Sequence, residues 1–324
     1  ASSTIYGGTY NLLKYTLPKL GITTTFVENQ DDLAEWQAAV KPNTKAFFAE
    51  TIGNPKVSIL DIEGVSEVAH KNGVPLIVDN TVATPFLVQP LKHGADIVVH
   101  SATKFLAGHG TVVAGAIVDG GKFEWSKSDK FPGLTTPDPS YHGVNYTAAL
   151  GDSIAYIIKA RVQLLRDIGA AISPNSAFQL IQGLETLSLR VERHVENATK
   201  IANFLAKHPQ VESVNYAALP SSPWHDAAKK YAPKGAGAIV SFEIKGGIAA
   251  GGKFVDSLEL FSHVANIGDV RSLVIHPAST THSQLTPAQQ LTTGVTPGLI
   301  RLSVGLESID DLIADLETGF AAAK

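Results

Sequence analysis

The sequence contains neither cysteine nor methionine. Without cysteine there are no disulfides, no thiolate metal sites and no thiol nucleophile. Long apolar runs are missing too: Ala238–Phe242 is of strand length, far short of the ~20 residues that a membrane span requires. Charge is sparse, at 17% of residues with a net charge of −4, and the 26 lysines and arginines are scattered. That excludes the basic footprint of a nucleic-acid binder. No stretch has the composition of a disordered segment. The chain opens Ala1-Ser-Ser-Thr-Ile, not with a basic and then apolar segment, so no secretory leader is expected. With no methionine there, residue 1 is not expected to be the start of translation. The expectation is a soluble, cytoplasmic protein without nucleic-acid or membrane partners.

What is present is a chain of 324 residues, 44% of them hydrophobic, enough for two domains and a large core. Its first half alternates short apolar runs with helix-period segments, the pattern of an α/β fold with a mostly parallel sheet wrapped by helices. The predicted strands are Thr23–Val27, Ala46–Ala49, Leu76–Val78, Ile97–Val99 and Val113–Val118, with helices near Thr9–Leu20, Asp31–Val40 and Asp61–Asn72. Asp61, with Glu63 behind it, suits a helix N-terminus. Asp119–Gly143, rich in Gly, Pro, Asp and Ser, reads as an excursion over the surface. Two long helices are expected over Tyr146–Ala171 and Pro174–Lys207. After His208-Pro209 the strands Val211–Tyr216, Ala238–Ile244, Leu273–His276 and Leu299–Val304 predict a smaller α+β domain. The expected division is a large domain at 1–195 and a C-terminal one at 196–324.

In open α/β sheets, ligands gather at the carboxyl ends of the strands. Three predicted strands end there in polar clusters: Glu50-Thr-Ile-Gly-Asn-Pro, Asp79-Asn-Thr and His100-Ser-Ala-Thr-Lys. A lone strand-end Asp is more often a helix cap. The three together place carboxylates, an amide, hydroxyls and a lysine on one rim. Pyridoxal phosphate asks for such a set: a lysine to attach it, a carboxylate to keep its pyridine nitrogen protonated, and hydroxyls for its phosphate. Lys104 is the candidate lysine and Asp79 the candidate carboxylate. Arg301 interrupts the apolar strand Leu299-Ile-Arg-Leu-Ser-Val, where an unpaired charge is costly, and its fork suits a carboxylate. The bland alternatives are a surface lysine, a capping Asp and a structural ion pair.

The run Ser101-Ala-Thr-Lys-Phe-Leu-Ala-Gly-His-Gly resembles the cofactor-lysine motif of the Cys/Met-metabolism family of fold-type I pyridoxal-phosphate transferases. Tyr6-Gly-Gly-Thr, Glu50-Thr-Ile-Gly-Asn-Pro, Val78-Asp-Asn-Thr and His276-Pro-Ala-Ser-Thr-Thr-His resemble further motifs of that family in the same order, and the likeness covers essentially the whole chain. The resemblance implies that Lys104 holds pyridoxal phosphate as a Schiff base and then shuttles protons. It also implies that Asp79 pairs with the pyridine nitrogen, that Tyr6 stacks on the ring as a further catalytic group, and that Ser101 and Thr103 hold the phosphate. Asn54 would bond the ring's phenolic oxygen, Arg301 would clamp the substrate carboxylate, and Ser279 would sit beside Arg301. His100, His276 and His282 read as framework, and no metal is expected.

Within the family, Pro137-Asp-Pro-Ser-Tyr-His-Gly and Gly294-Val-Thr-Pro-Gly-Leu-Ile-Arg most resemble members that act on O-acetyl-L-homoserine. The implied reaction is γ-replacement, in which sulfide or methanethiol displaces acetate to give homocysteine or methionine. The partners are then an amino-acid substrate and a thiol, in a homo-oligomer expected to be a dimer of dimers. Cystathionine γ-synthesis, methionine γ-lysis and a cofactor-poor scaffold are the alternatives. Gly8, where lyases of the family carry cysteine, counts against lysis.

The family also has an upstream segment whose backbone grips the phosphate at a helix N-terminus. A Tyr-x-Arg in that segment reaches the neighbouring subunit. This sequence contains neither, which leaves a truncated or nicked chain, a natural short form, or a partnership with a second chain as readings. Ala107 stands where the family has glycine. For an enzyme that assimilates sulfur, the absence of Cys and Met reads either as drift or as selection or engineering for a sulfur-free chain.

Overall fold

The structure, a computed structural model, describes residues 1–324 except Pro55, His282, Leu285 and Thr293 and the side chains of Gln289 and Thr292. The expected framework role of His282 therefore lies outside the described residues. Two sheets organise the chain. The first has strands β1 (Phe47–Glu50), β2 (Leu76–Asp79), β3 (Ile97–Ser101) and β4 (Gly115–Asp119) in that spatial order. The first three run parallel and β4 closes antiparallel on β3. The second sheet holds β5 (Val211–Asn215), β6 (Ile239–Ile244), β7 (Ser262–His263), β8 (Leu273–Ile275) and β9 (Leu299–Ser303), ordered β5-β6-β9-β8-β7.

Apolar strands and the stripe Ile62, Val65, Val68 and Ala69 of helix Ile62–Lys71 build a core that continues into the second sheet through Val240, Phe242, Ile300 and Leu302. Helix Leu187–Leu205 bridges the two sheets. Its buried face carries Val191, Ala198, Ile201 and Leu205, and it passes without a break through residue 195. Among the described residues no helix is long and apolar enough to cross a membrane.

Several predicted elements differ in the structure. Thr23–Val27 is no strand: Val27 meets Ser2 in one isolated bridge. The segment predicted as a helix near Thr9–Leu20 is a short α-turn, a π-turn and a 3-10 turn, closed by Gly21 at φ 79°. Tyr146–Ala171 is broken at Gly151 (φ 75°) and passes through a π-helical stretch at Ala160–Leu165. Thr186, with φ −107° and ψ 7°, separates Pro174–Glu185 from Leu187–Leu205. Asp61 precedes its helix as expected, but its carboxylate bonds the Tyr231 hydroxyl instead of capping.

Candidate active site

Register brings the strand ends together. Glu50 lies opposite Asp79 across β1 and β2, and Asp79 lies opposite Val99 on β3, two residues before Ser101. Thr81 ties this rim: its N–H and hydroxyl both donate to Asp79 Oδ1 (2.9 and 2.5 Å), while its hydroxyl oxygen accepts from Ser101 N–H at 2.7 Å. Both Thr81 bonds fall on Oδ1, which leaves Asp79 Oδ2 free of them. Burial raises the Asp79 pKa, and the Thr81 bonds oppose it.

The rim opens into a cleft lined by Tyr6, Asn54, Asp79, Ser101, Lys104 and Arg301, together with Glu50, Thr81, Asn266 and apolar Ile52, Val82 and Ile267. Lys104 Nζ donates to Asn266 Oδ1. Burial lowers the lysine's pKa and the neighbouring Arg301 charge lowers it further. Arg301, on β9, donates to Asn54 Oδ1 at 3.3 Å and to the Asn266 carbonyl at 3.2 Å. Its Nε is buried and has no partner among the described residues. Desolvation brings its pKa down to about 10. A desolvated guanidinium in the cleft lining, bonded there to neutral amide and carbonyl oxygens, suits an anion that fills the cleft.

Six of the eight residues expected from the sequence thus line one cleft: Lys104, Asp79, Tyr6, Ser101, Asn54 and Arg301. Two are turned elsewhere. The Thr103 hydroxyl donates to the Ala114 carbonyl (3.3 Å) and accepts from its N–H (3.0 Å). The Ser279 hydroxyl bonds His276 Nδ1 at 2.8 Å, outside the cleft lining. His276 itself is buried and tied to the Pro297 carbonyl at 2.8 Å. His100 is buried, and desolvation lowers its pKa to about 4. Among the described residues no group of three or more His, Asp or Glu is placed to hold a metal.

Sequence reasoning left two functional candidates without a role. Glu50 accepts from the Tyr6 backbone N–H at 2.6 Å and so holds the chain at Tyr6 beside the cleft. Its pKa is raised well above normal by burial and by Asp79 beside it. Its position at a strand end aligned with Asp79 was the available signal. Asn266 reaches Lys104 across 162 residues of sequence, and no local pattern announces such a contact.

The profile of the family described as "Cys/Met metabolism PLP-dependent enzyme" matches residues 1–321. The chain is 58% identical to the O-acetyl-L-homoserine sulfhydrylase of Leptospira meyeri, over 98% of this chain and 73% of that protein. It is 52% identical to the homocysteine synthase of Schizosaccharomyces pombe, over 100% of this chain and 75% of that one. The fold superposes with TM-score 0.93 on a Campylobacter jejuni protein assigned as an O-acetylhomoserine (thiol)-lyase. That protein is 44% identical, with 99% of this chain and 76% of that one covered, and its crystal structure carries N'-pyridoxyl-lysine-5'-monophosphate.

Pyridoxal phosphate fits the cleft found here. The half-buried lysine offers an amine of lowered pKa, and Asp79 offers a carboxylate oxygen left free of the Thr81 bonds. Burial raises the Asp79 pKa, and a protonated pyridine nitrogen beside it would offset that desolvation.

Proposed function

The chain belongs to the Cys/Met metabolism PLP-dependent enzymes, with the fold-type I architecture, and from that membership we propose that it is an O-acetyl-L-homoserine sulfhydrylase. It exchanges the acetoxy group at Cγ for sulfide, giving L-homocysteine and acetate. The single observation that carries this reading is the convergence of Lys104, Asp79 and Arg301 on one cleft. The names of the 58% and 52% identical relatives support the substrate and the product.

When bound, pyridoxal phosphate supplies an electron sink conjugated to the substrate's Cα. The chain's own residues do the rest. Lys104 anchors the cofactor, and its Nζ then takes the Cα proton. A lysine works as a base near neutral pH when burial and a neighbouring cation lower its pKa, and Lys104 has both. Asp79 holds the proton on the pyridine nitrogen. Tyr6 would cover the ring, Ser101 would hold the phosphate and Asn54 the phenolic oxygen, all three lining the cleft. Arg301 pairs with the substrate carboxylate through its terminal nitrogens. Glu50 holds the Tyr6 backbone, and Asn266 holds the Lys104 amine whenever it is free of the cofactor.

The test is formation of homocysteine and acetate from O-acetyl-L-homoserine and sulfide by the purified enzyme. Arg301→Lys keeps the charge but loses the fork, and KM should rise about 10–100-fold. Methionine formed from methanethiol at a higher kcat/KM would make the thiol, not sulfide, the natural donor.

We further propose that the enzyme is a cytoplasmic homo-oligomer, a dimer of dimers. Ile168, Phe178, Ile181 and Leu189 stand 74%, 58%, 57% and 70% exposed. Apolar side chains so exposed in neighbouring segments mark an association surface. A native mass equal to one chain, or one containing a different polypeptide, would contradict this.

A further inference from the structure

The turn that carries Lys104 has an unusual support. Within it Lys104 N–H donates to the Ser101 carbonyl (3.1 Å), Ala107 N–H to Ala102 (3.1 Å) and Gly108 N–H to Lys104 (2.8 Å). None of these bonds uses the carbonyls of Phe105 and Leu106, whose residues are buried. Buried carbonyls require donors. Arg190, on helix Leu187–Leu205, provides them: one terminal nitrogen donates to Phe105 O at 2.8 Å and the other to Leu106 O at 3.2 Å. The second also donates to Gly183 O at 2.6 Å, and Nε to Thr186 Oγ1 at 3.2 Å.

All four acceptors are uncharged oxygens, and Arg190 is only 6% exposed. A desolvated cation facing carbonyls is an expensive arrangement for packing alone. The fork geometry explains it, since two parallel donors fix two successive peptide units at once. The surroundings show how close the fit is. A Cβ at Gly183 would lie 2.6 Å from Leu106 O and 2.5 Å from Ala107 O. On the opposite side, a Cβ at Gly268 would lie 2.8 Å from Lys104 Cβ and 2.7 Å from Phe105 N. The turn is held between Arg190 and Gly183 on one flank and the 266–270 segment on the other, where Val270 N–H donates to Gly108 O at 2.8 Å.

We propose that Arg190 is a positioning residue: by holding the Phe105 and Leu106 carbonyls it aims Lys104 into the cleft. The proposal rests on Lys104 being the reactive lysine of the activity proposed above. Arg190 touches neither substrate nor cofactor, so its effect belongs on kcat, not on capture of the substrate carboxylate.

The test compares Arg190→Lys, Arg190→Gln and Gly183→Ala with the parent enzyme. Gly183→Ala disturbs the Leu106 carbonyl that Arg190 holds, and the next one at Ala107, and leaves the charge in place. Two readouts are taken: steady-state kinetics with O-acetyl-L-homoserine and sulfide, and hydrogen exchange at the Ala107 and Gly108 amides against those of β9. In the variants kcat should fall by about 10²-fold, as for a misplaced reacting group, with KM within about twofold. Exchange at Ala107 and Gly108 should accelerate while β9 stays protected. Should Arg190→Gln fail to fold, the other two variants decide. Unchanged kcat and exchange, or protection lost uniformly with activity following the folded fraction, would overturn the proposal. If the parent enzyme itself does not turn over this substrate, the reading of the reaction fails. The exchange pattern then decides for Arg190 alone: local loss supports positioning, and no local loss refutes it.

Discussion

Two carboxyls, Asp79 and Glu50, meet at adjoining strand ends, and burial is the first cause holding both above their ordinary range. For Asp79 the sign follows directly. Its folded pKa exceeds the ordinary 3.8, so over the pH range between the two the folded chain binds more protons than the unfolded one. Stability contributed at this position is therefore present at low pH and lost as pH rises through the folded value. Asp79→Asn cannot ionise, and its amide oxygen can still accept from Thr81. Without cofactor, the variant should unfold at a higher temperature than the parent near neutral pH, and the gap should close as pH falls towards 3.8. With cofactor the order should reverse, because the carboxylate gains its cation, and turnover should drop by about 10²–10⁴-fold. Thermal melts across pH check this; a cofactor-free variant less stable than the parent at neutral pH contradicts it. Two hydroxyls expected at the site are bonded elsewhere, for a reason that acts at the same scale. Ser279 and Thr103 carry suitable hydroxyls, but each has a backbone or imidazole partner within reach. Such local competition decides where a hydroxyl points.

At the scale of elements, the strand ends were legible because a buried parallel strand is a short apolar run, and its last residue announces itself by polarity. Phe47–Glu50, Leu76–Asp79 and Ile97–Ser101 lie within two residues of the expected bounds. The long helices were legible as apolar stripes but not as broken ones. A 3.6-residue period continues across Gly151 and Thr186, whereas the backbone at those residues does not. Thr23–Val27 has the composition of a strand, but among the described residues only its end, Thr25 to Val27, bonds to the backbone of Ala1 and Ser3. Contacts across long sequence separations, such as Arg190 with Phe105 or Asn266 with Lys104, leave no mark in local pattern at all.

One element-scale contact gives a stability prediction. Asp315, on helix Ile309–Ala322, accepts from the backbone N–H groups of Glu259, Leu260 and Phe261 at 2.8, 3.0 and 2.9 Å, and is 8% exposed. Asp315→Ala leaves three amides without their acceptor, and should cost about 2–4 kcal/mol in urea unfolding. A loss below about 0.5 kcal/mol would mean that water replaces the carboxylate there.

At the scale of the whole molecule, the core runs without interruption from the first sheet into the second, and the cleft takes side chains from both. Tyr6, Asp79 and Lys104 come from the first half, Asn266 and Arg301 from the second. The division at 195/196 stays a proposal about organisation. The chemistry needs the two halves together, since Arg301 reaches Asn54 across the join. Limited proteolysis in the Lys207–Gln210 connection should therefore abolish turnover even where both fragments remain folded.

The central claim is that Lys104 carries the cofactor at the end of β3. Borohydride treatment of the enzyme loaded with pyridoxal phosphate, followed by peptide mass mapping, tests it most directly. The account predicts one phosphopyridoxyl group per chain, on the peptide containing Lys104, and none after Lys104→Ala. Stoichiometric fixation on any other lysine, or undiminished turnover by Lys104→Ala, would contradict it.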